Sequence, residues 1–448
     1  MKTECLVPPV TDRRGLVDHF SRTRDRSRRL FEIVTPEAYY ARPIPLRHPV
    51  IFYEGHLAAF NLNTLVKKAL GRPGIDPDFE RLFARGIDPD EGNAAERSRP
   101  ETWPTREEVR SFVEEADRRV LSALLDVTLD RPGHPLLDRG QAVYAILEHE
   151  AMHQETMLYM WHQLPYHHKQ PPSSAQPTVG GRPPSPETIV VRPGRATLGA
   201  RNEEMPFGWD NEFQTLTVDV GAFAMDRYDV TNEDFLQFVE AGGYCNKRWW
   251  TPEAFTWLRE EGIEHPRFWI RRDGRWFWRG MFEEVPLPAA WPVYTSQSEA
   301  AAYARWRGKR LPTEAEFHRA AYATPSGIER AYPWGDEPPD AARGNFDFAA
   351  WDPQPVGRHP AGRSAWGIDD LVGNGWEWTA TPFAPFPGFV PLPSYPEYSA
   401  DFFDGRHYVM KGASPATARE LLRRSFRNWF RPHYPFVYAT FRCVSPSP

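Results

Sequence analysis

The chain has 448 residues, 41% hydrophobic and 25% charged, with a formal net charge of −6. That length exceeds what one hydrophobic core usually serves, so two domains are expected, and the mild acidity gives no reason to expect nucleic acid or an anionic membrane as partner. Three widely spaced cysteines, Cys5, Cys245 and Cys443, argue against a disulfide framework. With no apolar N-terminal core and no window long enough to span a bilayer, the expected location is cytoplasmic.

From Asp12 to Pro165 the apolar spacing predicts helices. Leu16, Phe20, Leu30 and Ile33 mark the first, which also carries Arg22, Arg24, Arg26, Arg28 and Arg29, read as a solvated face. Phe52, His56, Ala59, Phe60 and Asn63 share one side of a second. A third opens on a capping box, Thr105-Arg-Glu-Glu108, and continues through Val109, Phe112, Val113, Ala116, Val120 and Leu124. The fourth holds His149-Glu150-Ala-Met-His153-Gln-Glu155. Four helices in residues 1–170 suggest a bundle, and bundle cores commonly hold metal sites built from facing helices.

Residues 171–187, rich in proline and serine, read as an exposed linker. Beyond them, in residues 188–448, short extended runs, aromatics and Gly/Pro turns predict an α+β domain. Thr188–Val191 and Leu216–Val220 alternate like strands; Thr231–Ala241 and Ser296–Arg307 read as helices. The 17 tryptophans and 46 prolines of the whole chain suit long loops pinned by large rings.

His149 and His153 stand four apart, so both imidazoles lie on one helical face and can reach one metal ion. The pair alone says little: 14 histidines in 448 residues give about 0.4 such pairs by chance. The same run satisfies His-Glu-x-x-His, the zinc-peptidase pattern with Glu150 as base, but lacks the third ligand that pattern needs nearby. A non-catalytic reading is a lectin-like binding module on a metal-stabilised bundle.

Further motifs sharpen the choice. Asp226-Arg-Tyr-Asp-Val-Thr231-Asn232, Gly308-Lys309-Arg310-Leu311-Pro312-Thr313-Glu314, Tyr332-Pro-Trp334-Gly335-Asp336 and Gly373-Asn374-Gly-Trp376-Glu377-Trp378 resemble the formylglycine-generating-enzyme (sulfatase-modifying factor) fold, a C-type-lectin-like domain. Formylglycine-generating enzymes use two C-terminal cysteines. Only Cys443 is present there, which argues against that activity. The first half resembles the DinB-like four-helix metal-binding bundle. A DinB-like bundle followed by such a domain resembles the sulfoxide synthases of ergothioneine biosynthesis, the ovothiol synthase core and selenoneine synthase, non-heme iron oxygenases acting on histidine or on hercynine (Nα-trimethylhistidine).

The resemblance implies Fe(II) held by His56, His149 and His153, with O₂ as cosubstrate. It places Glu155 as a supporting group that orients a ligand or ties helices together. In Pro393-Ser-Tyr395-Pro-Glu-Tyr398-Ser399 it implies that Tyr395 is the catalytic tyrosine, delivering a proton or a hydrogen atom during the oxygen chemistry. Tyr398 and Trp429 are implied at the trimethylammonium and Asn428 at the carboxylate of hercynine. Where the branch using γ-glutamylcysteine carries an Asp and an Arg for its cosubstrate, this chain has Phe430 and Tyr434. Met152 replaces a Gln, and Lys411-Gly-Ala-Ser-Pro415 replaces Arg-Gly-Gly-Ser-Trp. Leu46-Arg-His-Pro-Val-Ile-Phe-Tyr53 is closer to the ovothiol core, whose methyltransferase domain has no counterpart in these residues. A cosubstrate pocket without ionic anchors suits a neutral, hydroxyl-rich selenosugar, so the expectation leans to the selenoneine synthase branch, with cysteine or another thiol as the alternative. Oligomeric state, and whether the α+β domain holds a structural Ca²⁺, stay open at this stage.

Overall fold

Helices dominate the first half of the chain and short strands the second, in a computed structural model that describes residues 7–84, 102–173 and 177–447. Two compact units result. One comprises Cys5–Ser174 with the short segment Leu392–Pro396; the other contains Ala175–Pro391 and Glu397–Pro448.

In the helical unit α1 (Arg13–Glu32), α2 (Val50–Asn61), α4 (Arg106–Asp126) and α5 (Gln141–Gln163) form a four-helix bundle, with a short α3 (Pro77–Leu82) between α2 and α4. Each of α4 and α5 packs against both α1 and α2. The capping box at Thr105 is present: Thr105 Oγ1 accepts from the Glu108 amide and Glu108 accepts from the Thr105 amide. α5 is buried almost along its length and is the bundle's central element. α2 runs on without a break into a π-helical stretch, Leu62–Ala69, a geometry that is rare and favours functional positions.

The middle of the α1–α5 contact is polar. Arg22, Arg28 and Arg29 lie on an exposed face as expected, and Arg24 departs from that reading. Arg24 is buried at 3% exposure and pairs with Asp117 on α4 and Glu150 on α5, each at 2.9 Å. Glu150 also accepts from Ser27 (2.6 Å) and from Asn61 on α2 (3.0 Å). One turn further along, Gln154 donates to the Thr23 carbonyl and to Ser27 Oγ and accepts from Arg26. Burial alone would lower the Arg24 pKa, but its two carboxylates raise it further, so the group stays charged. A buried charge is tolerable when paired, and the Arg24–Glu150 pair with Asp117 and Asn61 ties four helices at a single point.

The second unit is α+β. Its largest sheet has the order β10-β9-β8-β11, formed by β8 (Gly375–Pro382), β9 (Tyr408–Ala413), β10 (Asn428–Phe430) and β11 (Ala439–Thr440). β1 (Thr188–Val191), β4 (Phe223–Asp226) and β12 (Val444–Pro446) make a second sheet, and β2 (Gly194–Leu198) pairs with β3 (Leu216–Val220). A meander of β5 (Trp269–Arg272), β6 (Arg275–Arg279) and β7 (Glu284–Pro286) completes the strands among the described residues. The expected helices are α6 (Asn232–Glu240) and α8 (Gln297–Trp306), capped by Thr231 and Ser296; α7 (Pro252–Glu260) and α9 (Glu314–Tyr322) were not anticipated. Val191, Phe223, Met225, Phe317, Ile368 and Val444 form one core. Arg442, fully buried, holds the loops around it by pairing with Glu377 and Asp229 and donating to the carbonyls of Arg227 and Asp369. Among the described residues no helix is long and apolar enough to cross a membrane.

The polar junction makes the helical unit sensitive to a single residue. Arg24→Met strands two buried carboxylates and is expected to reduce unfolding stability by about 3–5 kcal/mol, read as a lower midpoint in urea with far-UV ellipticity retained at zero denaturant.

Candidate metal centre

His56 on α2 and His149 and His153 on α5 converge, with one nitrogen from each within 4.8 Å of the others. The helical repeat explains the convergence on α5. Residues at i and i+4 share a face, and Glu150 and Gln154, each one position along, are rotated by about 100° from the histidines. Anchoring Glu150 and Gln154 to α1 therefore turns His149 and His153 toward α2. His56 Nε2 lies 3.2 Å from His153 Nε2, and His56 Nδ1 lies 2.7 Å from the carbonyl oxygen of Phe83.

Burial sets the charge state. It pushes the His56 pKa down to about 4, and it drives His149 and His153 well below the ordinary imidazole value, helped by mutual repulsion and, for His153, by Arg47. At neutral pH all three rings are uncharged and present lone pairs. Both nitrogens of His149 and Nδ1 of His153 are buried without a hydrogen-bond partner. Orphaned buried imidazole nitrogens are costly in a protein unless something coordinates them. Three neutral imidazoles meeting at a point are a donor set that suits Fe, Zn, Cu or Ni, so the residues fit a bound transition metal.

Aromatic rings border the cluster on several sides: Phe52 stacks on His56 at 5.2 Å and Tyr53 lies 5.9 Å from His153, centroid to centroid. Phe60, one turn after His56 on α2, stacks on His149 with ring centroids 3.4 Å apart and planes within 8°. Tyr395, in the segment grouped with the helices, lies 5.5 Å from Phe60 and 6.2 Å from His149, centroid to centroid. Lys68, in the π-helical stretch, donates to the carbonyl of neighbouring Ser394 at 3.4 Å. Glu155 is buried on α5 and is not a member of the donor cluster. Glu150 is engaged by Arg24, Ser27 and Asn61, which leaves it unsuited to act as the base of a zinc peptidase.

In the α+β unit, Tyr398 stacks on the buried Trp209 at 4.1 Å and meets Trp429 edge to face at 5.3 Å; Phe383 lies flat against Trp429 at 4.2 Å. Asn428 opens β10, and its side-chain oxygen accepts from the Trp429 amide. The strand is pinned from below by Lys411 on β9, whose buried ammonium donates to the carbonyls of Arg424 and Phe426. Burial lowers the Lys411 pKa to about 8. Phe430 and Tyr434 stack at 5.0 Å, 16° from parallel, forming an uncharged platform. Cys443 is buried and its thiol is pushed up, the reverse of what a thiol nucleophile needs. Sequence reasoning had put Phe60 on the His56 face without a role, and it did not anticipate Trp209 or the Phe83 carbonyl. Phe60 is legible in the i, i+4 spacing from His56; a main-chain carbonyl leaves no mark in a sequence.

Two family models match the chain, the sulfatase-modifying factor enzyme 1-like domain over residues 174–446 and the DinB superfamily over residues 19–157. A protein of Mycolicibacterium smegmatis named hercynine oxygenase is 34% identical over 431 residues, covering 94% of this chain and 96% of that protein. One of the same name from Mycobacterium tuberculosis is 36% identical over 440 residues, covering 97% and 99%. Ergothioneine biosynthesis protein 1 of Neurospora crassa is 27% identical over 500 residues, covering 92% of this chain and 55% of that protein.

Replacing His56, His149 or His153 singly by Gln is expected to abolish stoichiometric binding of Fe(II) or Co(II), measured by metal analysis after gel filtration. Glu150→Gln is expected to weaken it through the lost anchor of α5 without abolishing it.

Proposed function

The chain belongs to the hercynine oxygenase family, in which a DinB-type helical domain precedes a sulfatase-modifying-factor-type domain, and from that premise we propose that it joins sulfur or selenium to C2 of the hercynine imidazole in an Fe(II)- and O₂-dependent oxidation. The reaction balances as imidazole C–H plus a chalcogen–hydrogen bond plus O₂, giving the C–S or C–Se bond with one oxygen on the chalcogen and the other leaving as water. The observation that carries the proposal is the cluster of three imidazoles, two buried and His153 half-buried, beside Tyr395. Fe(II), when held by His56, His149 and His153, would supply O₂ activation and open positions at which imidazole and chalcogen meet.

The chain's own residues would do the rest. Tyr395 carries a phenol that is both an acid and oxidisable, suited to deliver a proton or a hydrogen atom. Phe60 fixes the plane of His149 and fills space beside the phenol, which excludes water. Tyr398 and Trp429 offer aromatic faces of the kind that attract a quaternary ammonium, and Asn428 offers an amide for the carboxylate. Glu155, buried on α5, would support the ligands rather than bind the metal. The stacked Phe430 and Tyr434 lack the ionic handles that a γ-glutamylcysteine cosubstrate would use, which supports a selenosugar as the donor. Cysteine or another thiol is the competing reading, favoured by relatives whose names refer to ergothioneine.

Iron-loaded protein given hercynine, O₂ and in turn a selenosugar, cysteine and γ-glutamylcysteine is expected to form a covalent hercynine adduct with the selenosugar, detected by mass spectrometry. An adduct with a thiol alone would replace selenium by sulfur in the reading; no adduct with any donor would remove it. Tyr395→Phe is expected to lower adduct formation by about 10²–10⁴-fold with Fe(II) affinity unchanged.

A further inference from the structure

The three histidines are not equivalent before a metal arrives. A carbonyl oxygen only accepts, so the 2.7 Å contact between His56 Nδ1 and the Phe83 carbonyl places the ring's single proton on Nδ1. The lone pair is then on Nε2, the nitrogen 3.2 Å from His153 Nε2. No such partner selects a tautomer for His149, whose two nitrogens are both unpartnered.

The carbonyl reaches His56 through a steric arrangement. Phe83 caps the C-terminus of α3, where the last carbonyls have no partner inside the helix. Its ring is fully buried and lies against Gly55, immediately before His56; a Cβ at Gly55 would come within 2.6 Å of the ring carbons Cδ2 and Cε2. Phe79, parallel at 5.8 Å, and Phe52, at 6.0 Å, hold the ring from other sides. A bond donated by the second ring nitrogen to a backbone carbonyl fixes both the orientation and the tautomer of a metal-ligating histidine.

We propose that Gly55 and Phe83 are positioning residues that preset His56 as an Nε2 ligand in the metal-free protein. Gly55 has no side chain so that the Phe83 ring can seat, and the seated ring delivers the carbonyl. This inference rests on the three-histidine metal reading above.

The test uses full-length protein labelled with ¹⁵N-histidine, with the His56 signals identified by their loss in His56→Gln. In the metal-free state long-range ¹H–¹⁵N spectra are expected to show His56 protonated at Nδ1 and bare at Nε2, and Co(II) is expected to perturb Nε2. Gly55→Ala is expected to abolish that tautomer preference and raise the Co(II) dissociation constant by about 10- to 100-fold. His56 protonated at Nε2 in the unaltered metal-free protein would overturn the proposal, as would Gly55→Ala with unchanged tautomer and affinity. If Gly55→Ala fails to fold, the tautomer in the unaltered protein decides. An Nδ1-protonated His56 that binds no Co(II) would instead remove the metal reading and leave the presetting intact.

Discussion

The bidentate demand of Glu150 organises the helical unit. Its carboxylate sits at 1% exposure and takes hydrogen bonds from Arg24, Ser27 and Asn61. A buried carboxylate left short of partners would cost several kcal/mol, so the rotation of α5 about its own axis is restricted to the angle that satisfies it. His149 precedes Glu150 by one residue and His153 follows it by three. Once Glu150 faces α1, the histidines have no freedom to face anywhere but toward α2 and His56. The three-histidine cluster is thus aimed by a network that contains none of its members.

That division of labour also separates two ways of reading the same five residues. His-Glu-x-x-His places a glutamate beside the first histidine in any sequence that contains it, and a zinc peptidase needs that carboxylate free to activate water. Here the carboxylate is consumed by Arg24, which itself is shared with Asp117. The motif is the same; the partner on α1 decides its chemistry. Arg24 therefore separates a site with a free glutamate base from one whose proton chemistry must come from elsewhere, and two phenol-bearing rings lie beside the cluster in this unit, Tyr53 at 5.9 Å from His153 and Tyr395 at 6.2 Å from His149.

Much of the fold was legible because its signals are periodic and local. Thr105 and Glu108 announce α4, the apolar spacing from Val109 to Leu124 continues it, and Thr188–Val191 and Leu216–Val220 alternate as strands. Within the arginine run Arg22, Arg28 and Arg29 are exposed as their composition suggests, whereas nothing nearby in the sequence shows that Glu150, 126 residues beyond Arg24, draws that one residue into the core. Length does not separate the unanticipated α7 and α9 from the anticipated α6: all three are nine residues long, and Thr251 and Thr313 cap the first two as Thr231 caps α6, so their start signals are present in the sequence. The spacing of His149 and His153 was visible, but Phe83 acts through its main chain and could not be read from any side-chain pattern.

The neutrality of the site follows from the same burial that shaped the bundle. Three imidazoles packed within 4.8 Å would repel one another if protonated, and a low-dielectric surrounding makes each charge costly. A fold that packs them so is therefore one in which each ring keeps a single proton and one free lone pair, which is the state a cation requires. The α+β unit solves a different problem with similar means. Lys411 is buried so that its donors can hold two carbonyls of the loop before β10, and Trp209 is buried so that Tyr398 has a flat partner. In both units the residues with a proposed chemical role are held by buried groups that have none, so substitutions at Arg24, Phe83, Trp209 or Lys411 should disturb function through geometry rather than through lost contact with substrate.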